Sequence, residues 1–476
     1  MLQNKDTHKV SELKNSFTHR WVEADFIFDI LKCFAFSPLN KALRFFKQQG
    51  YRFDLIMSLL ITMPFANIQT VNQLAGIVDP KKDVFYRLKN NSSINWRFIL
   101  WLFVMKFCKL TANSENTDAK KCLIFDDTVL KKSGIFIEKV SRVWDHVENR
   151  SILGFKALVM GLWDGTSFIT LDFSLHREKG KNKKKPFGLS LKKLRAQFKK
   201  KRTAGCHGYD RAAETDLDKI ASMLKMLKRA ISHKIKFDYI LTDSWFTCDQ
   251  LIDAVCNIKS TKVHLIGMYS KAKSLFVYNS KSLTYSQIRN MLGKPKRCRK
   301  LKLFYHQTTV KRNGRELKLF FSKHGKNGKW HVILTTDTSL SFIEAIEIYQ
   351  TRWTIEVFFK EARQLLNLGS CQSSDFDAQI ADITVICLQH ILLTFRHRFD
   401  TYESKGALFK ELEDSVINHK LNERLWGLFV QLLNIISDLL DGVDEIELFT
   451  KIVTDEEALS KLKQLFLLED SSDLAA

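Results

Sequence analysis

From residue 15 to residue 112 apolar and charged positions alternate at helical spacing with almost no strand-like run, which predicts a helical region over 1–118. Within it, Thr70 to Val78 predicts one short helix, Asp79-Pro80 a break, and Asp83 to Lys89 a second helix. This is a helix-turn-helix outline, with Asp79 as cap, Pro80 in the first turn, and Tyr86, Arg87 and Lys89 directed at a DNA groove or its phosphates. An ordinary helical hairpin accounts for the same residues equally well. From Lys121 the period shortens to two: Cys122 to Phe125, Ala157 to Trp163 and Phe168 to Leu175 predict three strands. A basic loop follows, then an amphipathic helix from Ala212 to Ile235, a strand from Tyr239 to Asp243, a helix from Cys248 to Ile258 and a strand from Val263 to Met268. After Gly267 the pattern reads as all-β, with a hairpin through Asn313-Gly314 and a last strand, Trp330 to Thr335, after the turn at Asn327-Gly328. Helical periodicity returns at Ser341 and persists through the C-terminal hundred residues, with a frayed end expected after Glu469. The fold class is α/β, divided as a helical DNA-binding region (1–118), a first core segment (119–268), a β insertion (269–336), a core completion (337–400) and a helical C-terminal region (401–476).

Charge narrows the partner. The chain has 75 Lys and Arg against 52 Asp and Glu, a net charge of +23, and with 45% hydrophobic residues it can bury real cores. A folded, strongly basic protein calls for a polyanion, and nucleic acid is the default. Between Arg177 and Arg202 lie 13 Lys or Arg and a single acid, Glu178, including the run Lys183-Lys184-Lys185. Such a run reads either as a solvated loop or as a DNA-backbone contact; its position inside a core favours DNA. The longest apolar block, Phe98 to Met105, is too short to span a bilayer, and residues 1–14 are polar, so the expectation is a soluble intracellular protein without a membrane partner. The nine Cys form no CxxC pair and read as reduced thiols.

Two predicted strands end in carboxylates, Asp127 and Asp243, where α/β sheets place their ligands. Convergent carboxylates repel unless a cation sits between them, and hard oxygen ligands select Mg²⁺. Tyr349, Arg352, Glu356 and Arg363 fall within a narrow arc of one predicted helix face, a stripe that would also suit an exposed helix with an i,i+4 ion pair.

Three segments carry a resemblance: Ile124-Phe125-Asp126-Asp127-Thr128, Leu241-Thr242-Asp243-Ser244-Trp245-Phe246, and the run from Tyr349 through Lys360. Together they resemble DDE transposases of bacterial insertion sequences, in the subgroup marked by a Tyr-x2-Arg-x3-Glu-x6-Lys signature. The resemblance covers roughly residues 120 to 400 and implies an RNase H-like core interrupted by a β insertion between the second Asp and the Glu. It implies a metal-binding triad of Asp127, Asp243 and Glu356, with Tyr349 and Arg352 on phosphates. Arg363 stands where the signature has Lys, which keeps the charge but replaces a point charge with a planar fork. Asp126 is a rival for the first ligand; Asp127 is preferred because it precedes Thr128. The implied chemistry is cleavage at element ends and joining of the freed 3′-hydroxyl to target DNA, with two Mg²⁺ ions for which Mn²⁺ can substitute. Implied partners are double-stranded DNA, as terminal inverted repeats and target, and a second copy of the chain in a synaptic homodimer, in the cytoplasm of a bacterium and associated with its nucleoid. The resemblance further implies that Trp330 stacks on a flipped base during hairpin formation, while a buried core Trp is the competing reading. A silent DNA-binding descendant and a nuclease without joining activity are the alternative functions.

Overall fold

The computed structural model describes residues 50–399, except 67, 77, 79, 113–115, 117–118, 259–261 and 326, together with Lys405, Asp455, Glu457 and Lys461. The expectations for residues 1–49 and for the C-terminal helical region lie outside the described residues; the helix expected to be capped by Asp79 with Pro80 in its first turn instead starts at Lys82, with Lys81 at the cap position.

The described chain falls into two compact units, one containing residues 51–78 and the other residues 79–399. The first holds α1 (Phe53–Thr62) and α2 (Val71–Ala75). Thr70 caps α2 through a capping box with Gln73, satisfying backbone donors that the short helix leaves unpaired. The second unit opens with α3 (Lys82–Lys89) and α4 (Trp96–Thr111), the latter capped by Asn95. The two helices of the predicted helix-turn-helix, α2 and α3, therefore belong to different units.

Next come β1 (Cys122–Lys131), β2 (Ser141–Asp145), β3 (Arg150–Trp163) and β4 (Phe168–His176). After a long loop carrying the one-turn α5 (Leu191–Arg195) follow α6 (His207–Glu214), α7 (Lys219–Ser232), β5 (Tyr239–Thr242), α8 (Asp249–Cys256) and β6 (His264–Met268). The strands order as β4–β3–β1–β5–β6, with β1 antiparallel to β3 and parallel to β5, and β5 parallel to β6; β2 shares the outer edge of β3 with β4. The inner strands are covered on both faces, which is why Cys122–Phe125 and Tyr239–Thr242 are buried without alternation.

The predicted β insertion contains β7 (Leu275–Tyr278), β8 (Lys281–Thr284), α9 (Tyr285–Met291), β9 (Lys296–Cys298), β10 (Leu303–Arg312), β11 (Arg315–His324) and β12 (His331–Thr335). It is not all-β, because Thr284 and Gln287 form a capping box that starts α9. Nor is it a separate sheet: β12 pairs antiparallel with β6, Leu334 opposite Gly267, so that β11, β10, β7 and β8 continue the core sheet. The β10–β11 hairpin tip is anchored by Arg312, whose Nε and Nη2 donate to the two carboxylate oxygens of Asp249 on α8 at 2.6 and 2.7 Å. Trp330 precedes β12 and does not open it.

Three helices complete the unit: α10 (Phe342–Gln350), α11 (Trp353–Gln364) and α12 (Phe376–Phe399). The single helix expected across Tyr349 to Arg363 is broken at Thr351-Arg352, where successive i→i−3 bonds (Arg352 N to Tyr349 O, Thr354 N to Thr351 O) tighten the turn. The long helix expected from Ala212 to Ile235 is likewise two, since Asp218 caps a new start at Lys219. α12 is long and apolar enough to cross a bilayer by length and composition, so Phe98 to Met105 is not the longest apolar element; 89% of its most apolar window is buried in the protein, as in the core helix of a folded unit.

Candidate active site

Pairing of β1 with β5 ends at Phe125 opposite Thr242, so Asp126 and Asp243 are the next residue on each strand and emerge beside one another. The Asp243 loop is locked behind them. Asp243 Oδ1 accepts the N–H groups of Trp245 and Phe246 at 2.9 and 3.0 Å, and Thr247 Oγ1 donates to the Asp243 carbonyl at 2.7 Å. This needs Gly267 on β6, because a Cβ there would stand 2.1 Å from Thr247 Oγ1.

Arg352 joins the helical and strand parts of the site. Its Nη1 donates to Asp126 Oδ2 at 2.9 Å and its Nη2 to Glu356 on α11. Burial works against its charge, but Tyr349, Asp126 and Glu356 outweigh that and hold the guanidinium firmly protonated. Tyr349 donates its hydroxyl to the Thr242 carbonyl at 3.2 Å, and burial pushes its phenol up to about 12. Arg363 bonds Thr128 Oγ1, two positions along β1 from Asp126. Thus Asp126, Asp243, Tyr349, Arg352, Glu356 and Arg363 gather along one end of β1 and β5.

Asp127 is placed differently. Neighbouring residues of a strand point to opposite faces, and where Asp126 meets α11, Asp127 meets Lys219 of α7 at 2.5 Å and Lys156 of β3 at 3.3 Å. Burial would raise both carboxyls, yet they shift in opposite directions. Asp126 is pushed up to about 7, burial acting first and Asp243 and Asp127 adding to it against Arg352. Asp127 is held below the usual range because Lys219 and Lys156 outweigh its burial. Asp127 is the first ligand expected from the sequence, whereas the geometry brings Asp126, its rival, to Asp243 and the Arg352–Glu356 pair. Lys156 and Lys219 had no role in that expectation, although a lone Lys amid the apolar run of β3 is a signal of a buried partner.

Among the described residues no group of three His, Cys, Asp or Glu side chains is drawn together as a metal cage. The donor chemistry nevertheless suits a hard divalent cation: Asp126 is raised by its burial and then by the neighbouring carboxylates of Asp243 and Asp127, a cost that such an ion relieves.

In front of the carboxylates lies a cavity of about 810 Å³, walled by Asp126, Asp127, Asp243 and Trp245 on the strand side and by Lys179, Lys181 and Lys185 on the basic loop. The loop is folded onto β2, with Arg142 N donating to the Phe187 carbonyl and Arg177 over the Phe187 ring. Its charges divide. Lys183, Lys184 and Lys185 are exposed. Arg202, by contrast, is buried against Glu138 and Asp377, and Lys200 pairs with Asp375 and Asp377 at the start of α12, so these two are structural. Arg87 is exposed on α3, while Phe85 of that helix is fully buried and Lys89 pairs with Asp382 of α12 at 2.7 Å. Trp330 is half-buried away from the carboxylates, stacked on His306 at 5.3 Å with Lys323 and Arg289 over its ring.

No curated protein matches the chain. The family model described as a transposase DDE domain matches residues 119–392, from just before β1 into α12 and more than half of the 476 residues. That span contains both carboxylate strands, the intervening insertion and the Arg352–Glu356 helix, and the chain belongs to the transposase DDE-domain family.

Proposed function

We propose that the chain is the transposase of a bacterial insertion sequence, cutting DNA at the element's terminal inverted repeats and joining the 3′-hydroxyl to target DNA. The observation that carries this is the Arg352 bridge, which ties Asp126 at the end of β1 to Glu356 on a helix that follows the insertion, beside Asp243 at the end of β5. The strand order β4–β3–β1–β5–β6, three antiparallel strands followed by two parallel ones, supports an RNase H-like core, with residues 269–336 as its insertion. The same bridge, with the β1–β5 register that sets Asp243 beside Asp126, supports Asp126, Asp243 and Glu356 as the carboxylates that would hold Mg²⁺, or Mn²⁺ in its place. When bound, a pair of such ions would activate the attacking water or 3′-hydroxyl and stabilise the leaving oxygen.

The chain's own residues do the rest. Arg352 and Arg363 offer guanidinium groups to phosphate oxygens, and as forks they orient as well as attract. Tyr349 keeps its proton at neutral pH and ties α10 to the end of β5, so it positions and does not act as a base. The exposed lysines of the loop at 179–185 supply backbone charge on the far side of the cavity. A homodimer in the synaptic complex and a hairpin at the flanking cut complete the reading. The test is a cleavage and joining assay with purified protein, Mg²⁺ and labelled ends taken from the DNA flanking the gene. Labelled ends attached covalently to target DNA are expected; cutting without joining would make the chain a nuclease.

A further inference from the structure

One wall of the cavity is explained neither by the carboxylates nor by the signature residues. Trp245 lines it two positions after Asp243, and the residue is 47% exposed. An exposed tryptophan is informative, because this side chain is highly buried on average. Here the exposure is enforced from three sides. The Asp243 carboxylate fixes the backbone of the turn. The buried Phe246 ring meets the indole edge-on at 4.8 Å, and Lys219 Nζ, while holding Asp127, sits 4.0 Å from the indole centroid. Arg142, Lys181 and Lys185 line the same cavity. A rigid aromatic surface bordered by cations is the arrangement that binds unpaired nucleotides, since every base has a π-face and every nucleotide a phosphate. Trp330 offers less open surface, being stacked on His306.

Resting on the transposase reading, we infer that Trp245 is the stacking platform for one unpaired nucleobase next to the cleaved phosphodiester, with Arg142, Lys181 and Lys185 taking the phosphates of that strand. Because Asp243 itself fixes the Trp245 backbone, platform and carboxylate move together, and the stacked base sets the position of the phosphate. Stacking of this kind reads no sequence.

The test measures binding without divalent metal, so that nothing is cut, on two fluorescent DNAs: a blunt duplex and the same duplex with a short single-stranded thymidine tail. Wild-type protein prefers the tailed DNA. Trp245→Ala loses about tenfold on it, the scale of one aromatic–base stack, and binds blunt duplex as before. Trp245→Phe keeps most of the preference, and Trp245→Leu, which preserves apolar volume without a π-face, behaves like Ala and answers the question should the Ala variant unfold. An unchanged preference in Trp245→Leu overturns the platform, as does its loss in Trp330→Ala alone. Wild-type protein that binds both DNAs equally overturns the platform and leaves the transposase reading standing; protein that binds neither overturns both.

Discussion

Nη1 of Arg352 lies 2.9 Å from Oδ2 of Asp126 although 226 positions separate them in the chain. The same guanidinium holds Glu356 one helical turn away, so a strand carboxylate and a helix carboxylate share one cation.

That sharing separates two adjacent aspartates. Asp126→Asn should lower DNA cleavage by about 10²–10³-fold, the scale of losing one preorganised charged group, with end binding and thermal midpoint little changed. Asp127→Asn should instead leave Lys156 and Lys219 without their carboxylate and cost about 3 kcal/mol of stability. Cleavage kinetics beside thermal denaturation distinguish them, and a stable, inactive Asp127→Asn protein would return the first ligand to Asp127.

The basic segment should split by function. Changing Lys183, Lys184 and Lys185 together to Gln should reduce the slope of log K against log salt by about two to three, since each phosphate contact releases a counterion, without altering the melting curve. Arg202→Met should do the reverse, costing about 3 kcal/mol because Glu138 and Asp377 lose their buried partner. An unchanged salt slope in the triple variant would make those lysines ordinary solvated charges.

Arg87→Ala removes an exposed side chain whose only described bond is local, Nε to the Asp83 carbonyl at 3.3 Å. It should leave the fold intact and alter the ranking of DNA sequences in a competition assay. Equal loss on element ends and competitor DNA would end the recognition-helix assignment.

A buried cluster on β4 sets the acid limit. Arg97 and Arg229 hold the Asp172 carboxylate, and together with Arg211 they outweigh its complete burial and keep it below the usual range. A depressed folded-state value stabilises the fold above the unfolded value, about 3.9, and that stability is lost as pH falls below it. Wild-type protein should therefore lose stability steeply on acidification below about pH 4, whereas Asp172→Asn should be weaker at neutral pH and flatter through that window. Parallel curves from chemical denaturation would contradict the linkage.

The strands β1, β4, β5 and β6 were legible because their apolar runs end at clear turns or carboxylates. β2 was not: Ser141-Arg142-Val143-Trp144-Asp145 has only two apolar positions, and its pairing with β3 comes from tertiary context. α9 was missed although Thr284 and Gln287 carry a capping-box signal, because the flanking strands dominated the pattern. The carboxylates at β1 were legible as the pair Asp126 and Asp127, without the surroundings of each. A period of two says that Asp126 and Asp127 face opposite ways, but which face receives α11 and which receives Lys219 depends on segments far apart in sequence.

The backbone ladder between β12 and β6 has a mechanical consequence. A load on the outermost strands, β7 and β8, would reach Asp243 only by twisting one hydrogen-bonded surface, which Arg312 and Asp249 pin at a second point. The insertion is thus a stiff lever arm and not a hinged flap. Swinging it clear would break the hydrogen bonds between β12 and β6.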